Sequence, residues 1–433
     1  MATTISTGPP VEPAAAQPQP EPGAGLAVRY VIAYLTMYVA LMTPVVSTLA
    51  LKIETLAGPG GKVAALSIVT GVGAFFAFVA NPLAGALSDR TRSRFGMRRP
   101  WLVGGVVGGA AGLTVLAFAT EIWMAVVGWA LAQASFNAAQ AALQAILPDQ
   151  IPNRMRAKVS GWLGIAQSVA PLIGVGLAFW FAAADWPIAW MIAVPAALGL
   201  AGVLTLALTM SDRLAEPGAA AFRLGAFLKG FWVSPRVHPD FAWAWLGRFL
   251  IFFGFASYNN YQVYFLKDRF SLSDAEALGW QLRLMVIQAV LLTLAASIGG
   301  VWSDRTGKRK IFVIVAAALA GLGLAGFAFA ASPGALYGGA ALWGLGLGAY
   351  LAVDIALVTD VLPNARTDAA KNLGVFNIAN ALPQSLAPAT APLFLAVGAG
   401  GAAADSNYTV LFLAAAVFAL VGAATTMFIR GAK

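Results

Sequence analysis

The chain has 433 residues, of which 60% are hydrophobic and only 10% are charged, and its formal net charge is +9. Soluble globular domains carry about 25% charged residues, so this composition excludes an ordinary soluble protein and predicts a polytopic membrane protein. The chain has no cysteine and a single histidine, which excludes disulfide bonds, thiolate catalysis and a metal site built from cysteine and histidine.

The first 26 residues predict a disordered tail. They contain six prolines together with alanine and glutamine, and no lysine or arginine precedes Arg29. Such a segment cannot bury enough apolar surface to fold. It also lacks the basic region with which a secretory signal peptide begins.

Twelve apolar segments follow, each about 20 residues long, which is the length that a helix needs to cross the roughly 30 Å apolar core of a bilayer. They lie at approximately residues 28–51, 63–87, 101–120, 122–147, 159–182, 186–210, 241–266, 279–302, 311–331, 335–359, 373–397 and 408–429. We therefore predict an all-α membrane protein with twelve transmembrane helices. It divides into an N-terminal bundle of six helices (27–210), a linker (211–240) and a C-terminal bundle of six helices (241–433).

The loop after the second segment carries the most distinctive motif of the chain. Gly85 stands four residues before Asp89, so both lie on one helix face. Five arginines follow at positions 90, 92, 94, 98 and 99. The pattern returns in the second half as Gly300, Asp304 and Arg305, followed by a basic cluster that includes Arg309.

Glycine, three residues, aspartate, arginine and a basic cluster, present once in each half, resemble the signature loop of the major facilitator superfamily. The first loop, with Pro82 before it and Pro100-Trp101 after it, is similar to that of the glycoside-pentoside-hexuronide sugar symporters and their sucrose-transporter relatives. The resemblance implies the major facilitator fold, with two pseudo-symmetric six-helix bundles.

The resemblance also implies a conformational latch, in which the two aspartates accept hydrogen bonds from an arginine or a helix N-terminus and hold the halves in one state. The alternative is that the arginines only anchor the loop on one side of the membrane. The predicted latch residues are Gly85, Asp89, Arg90, Arg94, Arg98, Gly300, Asp304, Arg305 and Arg309.

Membrane orientation follows from the distribution of positive charge. The loops on one side carry 21 lysines and arginines, whereas those on the other side carry four, and Arg248 and Arg283 lie inside predicted helices. Because positive loops stay in the cytoplasm, we predict cytoplasmic termini in a multi-pass protein of the inner or plasma membrane. The same distribution favours membrane orientation over nucleic-acid binding as the reason for the net charge.

The two halves also repeat one another outside the signature loop. The run KVSGWLGIAQ at residue 158 resembles KNLGVFNIAN at 371, and Asp149 and Pro152 match Asp360 and Pro363 at an offset of 211. Parallel repeats of this kind place the substrate site near the membrane midplane, between the repeats. In the linker, the spacing of Phe222 to Trp232 predicts an amphipathic helix at the membrane surface.

Asp354 is the one acid that falls well inside a predicted helix, where charge is costly. Arg248 lies at a similar depth, about 8 to 11 Å from the same side. We hypothesise that the two pair and that protonation of Asp354 breaks the pair during transport. The alternative is a permanent structural ion pair.

Amide and phenol side chains indicate where a polyhydroxylated substrate could bind. In segment four Gln133, Asn137, Gln140 and Gln144 step along one helix face, although hydrogen bonds between packed helices could explain the same stripe. The predicted substrate-binding residues are Asn81, Asn137, Gln140, Gln144, Tyr258, Asn259, Tyr261, Gln262, Tyr350, Asn377, Asn380 and Gln384.

The sugar symporters that the chain resembles carry an aspartate immediately before the signature proline, where this chain has Asn81. No acid occurs in segments one and two before Asp89, so the cation site of that family is not transferable. Either coupling has moved to Asp354, or the protein is another kind of transporter.

The leading prediction is a monomeric secondary transporter that takes up a sugar or glycoside with a proton by alternating access. The alternatives are proton-driven export of a drug-like molecule or metabolite, and a non-transporting sensor of the same fold. The glycine-rich runs lie inside apolar helices with no strand before them, and no membrane-embedded nucleophile has a base beside it. We therefore expect no enzyme, cofactor or metal, and as partners only the substrate, protons and the lipid bilayer, without nucleic acid.

Overall fold

The structure is a computed structural model that describes residues 24–214, 225, 233–363, 369–398 and 406–431. Most of the predicted tail and most of the linker, with its predicted amphipathic helix, lie outside the described residues. Within them, all regular structure is helical.

The described residues form twelve α-helices, and we number them in chain order. The first half contains α1 (Ala24–Thr43), α2 (Leu49–Ser88), α3 (Arg99–Ala117), α4 (Ile122–Gln150), α5 (Asn153–Ala183) and α6 (Ile188–Thr209). The second half contains α7 (Pro239–Phe270), α8 (Asp274–Thr306), α9 (Arg309–Ala328), α10 (Leu336–Asp360), α11 (Ala369–Leu395) and α12 (Tyr408–Thr425).

The number of membrane crossings follows from helix lengths. Ten helical stretches of the described chain are long and apolar enough to span a bilayer, and the first of them, Gly25–Ser88, has 64 residues. At about 1.5 Å per residue this stretch is far longer than one bilayer crossing, so it holds two. The helix α11 has 27 residues and contains three prolines and several polar residues, which lower its mean hydropathy. It is long enough to cross the bilayer and is the twelfth crossing. The predicted all-α fold with twelve transmembrane helices is confirmed.

The connection between the first two crossings differs from the predicted loop. A π-helical turn, Pro44–Thr48, joins α1 to α2, and α2 continues to Ser88 with a single non-helical residue at Gly58, where φ is 68°. Proline lacks the N–H of a regular helix, which favours a change of hydrogen-bond register at Pro44. Glycine adopts positive φ readily, so Gly58 allows the sharp bend between the two crossings.

The helix packing shows the internal repeat directly. In the first half α3 packs on α4, α2 on α4, α1 on α6, α3 on α6 and α1 on α5, and each pair recurs six helices later in the second half. Contacts between the halves follow the same symmetry, because α2 packs on α11 and α5 on α8. The chain is therefore a duplicated six-helix unit in structure as well as in sequence.

Small residues allow the closest helix contacts inside each unit. A Cβ added to Gly112 of α3 would lie 2.5 Å from the backbone nitrogen of Ala132 in α4, and Gly128 faces Gly112 in the same contact. Gly323 and Gly339, each 211 positions later, face one another in the same way between α9 and α10. Close backbone approach through glycine is typical of helix pairs in membranes.

The two halves are joined at the end of the molecule that lies away from the signature loops, which we call the far end. There the Tyr264 hydroxyl donates to the carbonyl oxygen of Ala50 at 2.8 Å, and the Gln281 amide donates to that of Val46 at 2.7 Å. Val46 lies in the π-helical turn. These contacts close the far end in this structure.

Candidate substrate and coupling site

The predicted pair of charges deep in the second half is in contact. Arg248 lies nine residues after the start of α7, and Asp354 lies six residues before the end of α10, so the antiparallel helices bring both to one depth. A guanidinium nitrogen of Arg248 binds one carboxylate oxygen of Asp354, and the residues are 9% and 3% exposed. In this surrounding, either charge alone would be strongly destabilising.

Tyr350 completes a triad around the carboxylate. It stands one helical turn before Asp354, and its hydroxyl donates to the second carboxylate oxygen at 2.7 Å. The guanidinium carbon of Arg248 lies 5.1 Å from the centre of the Phe252 ring and 4.7 Å from that of Phe376. Among the described residues, the buried Nε of Arg248 has no hydrogen-bond acceptor, so one donor of the triad is available to another polar group.

The first half contains a cluster of uncharged polar side chains. Tyr34 and Tyr38, one turn apart on α1, stack with ring centroids 4.7 Å apart, and their hydroxyls are 3.3 Å apart. The Gln140 amide of α4 donates to the Tyr38 hydroxyl at 2.5 Å, and Gln144 also interacts with that hydroxyl. The next amide along, Asn137, turns instead to the Gln133 carbonyl on its own helix, at 2.9 Å.

The two clusters occupy neighbouring places in the repeat. Tyr38, Gln140 and Gln144 are each 210 positions from Arg248, Tyr350 and Asp354, one fewer than the offset of 211 that relates the glycine and ion-pair landmarks of the two halves. Both clusters join the first helix of a half to its fourth helix. The repeat therefore presents phenol and amide groups in one half where it presents an ionised triad in the other.

Other predicted substrate residues on α7 are engaged within the protein. The Tyr258 hydroxyl accepts from the amides of Gln262 and Gln288 at 2.5 and 3.2 Å, and its ring stacks on Phe327. The Tyr261 hydroxyl lies 2.6 Å from that of Ser67 on α2, in the contact between the halves. Five further predicted residues are half-buried or exposed and have no role assigned by these contacts: Asn81, Asn259, Asn377, Asn380 and Gln384.

The first signature loop folds around Arg98. Its guanidinium lies 2.6 Å from Asp89, 2.9 Å from Asp149 and 2.5 Å from the Ser88 hydroxyl. Asp89 thus pairs with an arginine, as the latch hypothesis requires, but that arginine belongs to its own half. The Asp212 carboxylate accepts from the backbone N–H of Arg98 at 2.7 Å and so caps the start of α3.

The second signature loop repeats one part of this arrangement. Arg309 binds both carboxylate oxygens of Asp360 at 2.7 and 2.6 Å, and the two residues are 211 positions from Arg98 and Asp149. The side chain of Asp304 lies outside the described residues. The remaining predicted latch residues are the exposed Arg90, Arg94 and Arg305 and the glycines Gly85 and Gly300, where a Cβ would meet ordinary contacts at 3.8 Å.

The sequence analysis missed the tyrosines of α1 and the charges of the far end. Tyr30, Tyr34 and Tyr38 stand four residues apart, and this helical spacing was the signal that could have indicated a polar face on the first crossing. The acids and lysines near residues 54–62 and 267–274 fall at predicted loop boundaries, where charge requires no special explanation. Only the tertiary structure brings them together.

Comparison with known families gives one consistent result. The sequence matches the Major Facilitator Superfamily over residues 26–388 and, in a second match, over residues 244–432. The two matches together include both six-helix units. No curated protein matches the sequence.

Many solved structures share the fold. The nucleoside transporter NupG superposes with a TM-score of 0.75 at 13% identity, covering 94% of this chain and 100% of that chain. A bacterial homolog of the human lysosomal transporter Spinster gives 0.73, with 14% identity and 94% and 96% coverage. A D-xylose-proton symporter gives 0.69, with 17% identity and 94% and 98% coverage. At these identities the likeness establishes the fold alone.

Proposed function

Because the chain belongs to the Major Facilitator Superfamily and is therefore a membrane transporter rather than an enzyme, we propose that it takes up a sugar or glycoside together with a proton. We further propose that it is a relative of the sugar:cation symporters whose signature loop it resembles. The signature loops carry an excess of positive charge, and positively charged loops stay in the cytoplasm. We therefore propose that these loops face the cytoplasm.

The observation that carries this proposal is the buried triad of Arg248, Tyr350 and Asp354. Intramembrane acids are costly, and they commonly mark proton relays in transporters. The Asp354 carboxyl group contacts one cation, Arg248, and one hydroxyl donor, Tyr350. The geometry therefore supports a carboxylate with two defined states: ionised and paired, or protonated and released.

Protonation would couple the triad to the substrate in the following way. A proton from water binds a carboxylate oxygen of Asp354, the negative charge is lost, and Arg248 loses its ionic partner. A buried guanidinium without a counter-charge is unstable, so it requires new oxygen acceptors. Substrate hydroxyl groups can supply them, and the unpartnered Nε of Arg248 is already available for one.

The tyrosine and glutamine cluster of the first half is the proposed recognition surface for the sugar ring. Aromatic faces pack against the apolar face of a pyranose, while phenol and amide groups donate to and accept from its hydroxyls. Tyr34, Tyr38 and Gln140 combine both properties. A neutral cluster suits a neutral substrate, which favours a sugar over a lipophilic cation.

Transport in proteoliposomes tests the proposal. Purified protein is reconstituted, and proton movement is recorded with a pH-sensitive dye after each member of a mono- and disaccharide panel is added. We expect the external medium to become alkaline with at least one sugar. In Asp354→Asn we expect this signal and uphill accumulation to be lost, while counterflow of labelled sugar against internal sugar continues, because exchange needs no net proton transfer.

A matched control separates coupling from general damage. Asp360→Asn removes a carboxylate from the same helix, at a partly exposed pair with Arg309, and should retain proton-coupled uptake. Loss of counterflow in Asp354→Asn alone would instead identify the triad as a structural ion pair. Silence of the wild type with every sugar, together with proton release on adding lipophilic compounds, would establish an exporter. Absence of any flux would favour a sensor.

A further inference from the structure

A cluster of five charged side chains lies at the far end and crosses the boundary between the halves. The Lys62 ammonium, with its side chain 5% exposed, lies 2.9 Å from Glu54 in its own half and 2.6 Å from Asp268 on α7 of the other half. Lys267 binds Glu54 across the boundary and lies 2.5 Å from Asp274 of its own half. We call this set the far-end cluster.

Each charge that pairs across the boundary also has a partner inside its own half. Lys62 and Glu54 pair with each other within the first half. In the second half, Lys267 has Asp274, and Asp268 accepts a hydrogen bond of 2.6 Å from the Tyr408 hydroxyl. Separation of the halves would therefore break two ion pairs and leave no member of the cluster without a polar partner.

We propose that the far-end cluster is a partner-exchange gate, in which the cross-boundary pairs hold the far end closed and the pairs within each half stabilise the open state. The proposal rests on alternating access, which is part of the proposed function. It does not depend on the identity of the substrate or on proton coupling.

The physical reason is the high cost of an unpaired charge at a partly buried site. If the lysines had only their partners across the boundary, opening would leave ammonium and carboxylate groups unpaired, and the far end would remain shut. If they had only partners in their own half, nothing ionic would close the gate. A double set of partners keeps the free energies of the two states close, as a transporter that alternates between them requires.

Two substitutions of the same type distinguish the two kinds of partner. Asp268→Asn removes the cross-boundary partner of Lys62, while Lys62 retains Glu54 in either state. We expect the ratio of far-end-open to far-end-closed molecules to rise by about three- to tenfold. Asp274→Asn removes only the own-half partner of Lys267, which costs most when the far end is open. It should lower the same ratio by about two- to threefold.

Distances between spin labels report this ratio without any substrate. The chain has no cysteine, so Glu121→Cys and Ser332→Cys give one labelled pair on exposed loops of opposite halves at the far end. Phe95→Cys with Thr306→Cys gives a second pair on the signature-loop side. In lipid nanodiscs, Asp268→Asn should populate longer distances for the first pair and shorter distances for the second.

The double variant is the decisive measurement. Adding Asp274→Asn to Asp268→Asn should shift molecules back toward the closed far end, so the far-end label distances should shorten. The reason is that Lys267 then has no carboxylate partner when the far end is open. Simple damage to the packing would add in the double variant instead of cancelling. If the two single variants shift the ratio in the same direction, or if the double variant is more open than Asp268→Asn, the partner-exchange gate is wrong.

A second route avoids the loss of a carboxylate. Tyr408→Phe removes the own-half partner of Asp268 and leaves every charge in place, so in the otherwise unchanged protein it should lower the ratio of far-end-open to far-end-closed molecules. Unchanged or longer far-end distances in Tyr408→Phe would contradict the proposal. If the label distances shift as expected but no sugar or proton transport is detected, only the proposed function is contradicted.

Discussion

Removal of Arg98 should destabilise the protein far more than removal of its repeat equivalent, Arg309. The Arg98 side chain is 5% exposed and binds Asp149, Asp89 and Ser88. Arg98→Ala leaves these groups without the cation, and the cost for the half-buried Asp149 dominates. Loss of one partner of a buried pair costs about 3 kcal/mol. In a six-helix unit this corresponds to a fall in apparent Tm of about 6–12 °C.

Arg309→Ala is the comparison because Arg309 occupies the equivalent place in the second half, at a more exposed site. Arg309 and Asp360 have side chains that are 28% and 35% exposed, so water solvates the remaining carboxylate and the loss should be about 1 kcal/mol or less. Arg94→Ala, an exposed arginine of the same loop as Arg98, controls for loss of positive charge. Apparent Tm is measured in detergent as the temperature at which the monodisperse peak is lost in size-exclusion chromatography.

The outcome decides whether burial or the motif itself determines stability here. A fall of several degrees for Arg98→Ala with small changes for the other two variants supports the structural account. Equal losses for Arg98→Ala and Arg309→Ala would refute it, because the two sites share the ion pair but differ in exposure. Arg98→Lys should recover only part of the loss, since an ammonium cannot bind three groups with the geometry of a guanidinium.

Three further predictions follow from the geometry. Tyr38→Phe should raise the KM for sugar uptake by about three- to tenfold with a smaller effect on kcat, because the hydroxyl that meets the amide of α4 is lost; unchanged KM would exclude this hydroxyl from binding. Gly112→Val should lower apparent Tm by several degrees, since its Cβ would meet the backbone of α4, whereas Gly104→Val, with open space around its Cβ, should not. A membrane-impermeant maleimide should label Glu121→Cys but not Phe95→Cys in intact cells, because we propose that the signature loop faces the cytoplasm; the reverse pattern would invert the orientation.

The fold could be predicted from the sequence because the bilayer fixes the length of every crossing. Apolar runs of about 20 residues and the repeated signature loop were sufficient for the number of helices. The depth of Arg248 and Asp354 could likewise be counted from the helix ends, and the structure places them in contact. Such inferences need only the rise per residue of a helix, so they do not depend on how the two halves meet.

Contacts between the halves could not be predicted in this way. Lys62 and Asp268 are 206 positions apart, and nothing local in the sequence relates them. In a single sequence, charges at helix ends are expected to be solvated, so the pattern around Glu54 and Asp274 predicts no ion pair. Similarly, Tyr258 and Gln262 satisfy each other inside the second half, because phenol and amide groups serve helix packing as readily as substrate binding.

The divergence of the two repeats supports a division of roles within the proposed transport cycle. The ion pair of Arg98 and Asp149 recurs as Arg309 and Asp360, and the glycine contacts recur as well, so the scaffold of the six-helix unit is retained. At the position of the central polar cluster the repeats differ in charge, with Tyr38 in one and Arg248 in the other. A neutral cluster can bind hydroxyl groups without responding to protons, whereas a carboxylate paired with a cation changes its contacts when it is protonated. If the proposed cycle is right, we therefore expect substitutions in the first half to change recognition and substitutions in the second half to change coupling.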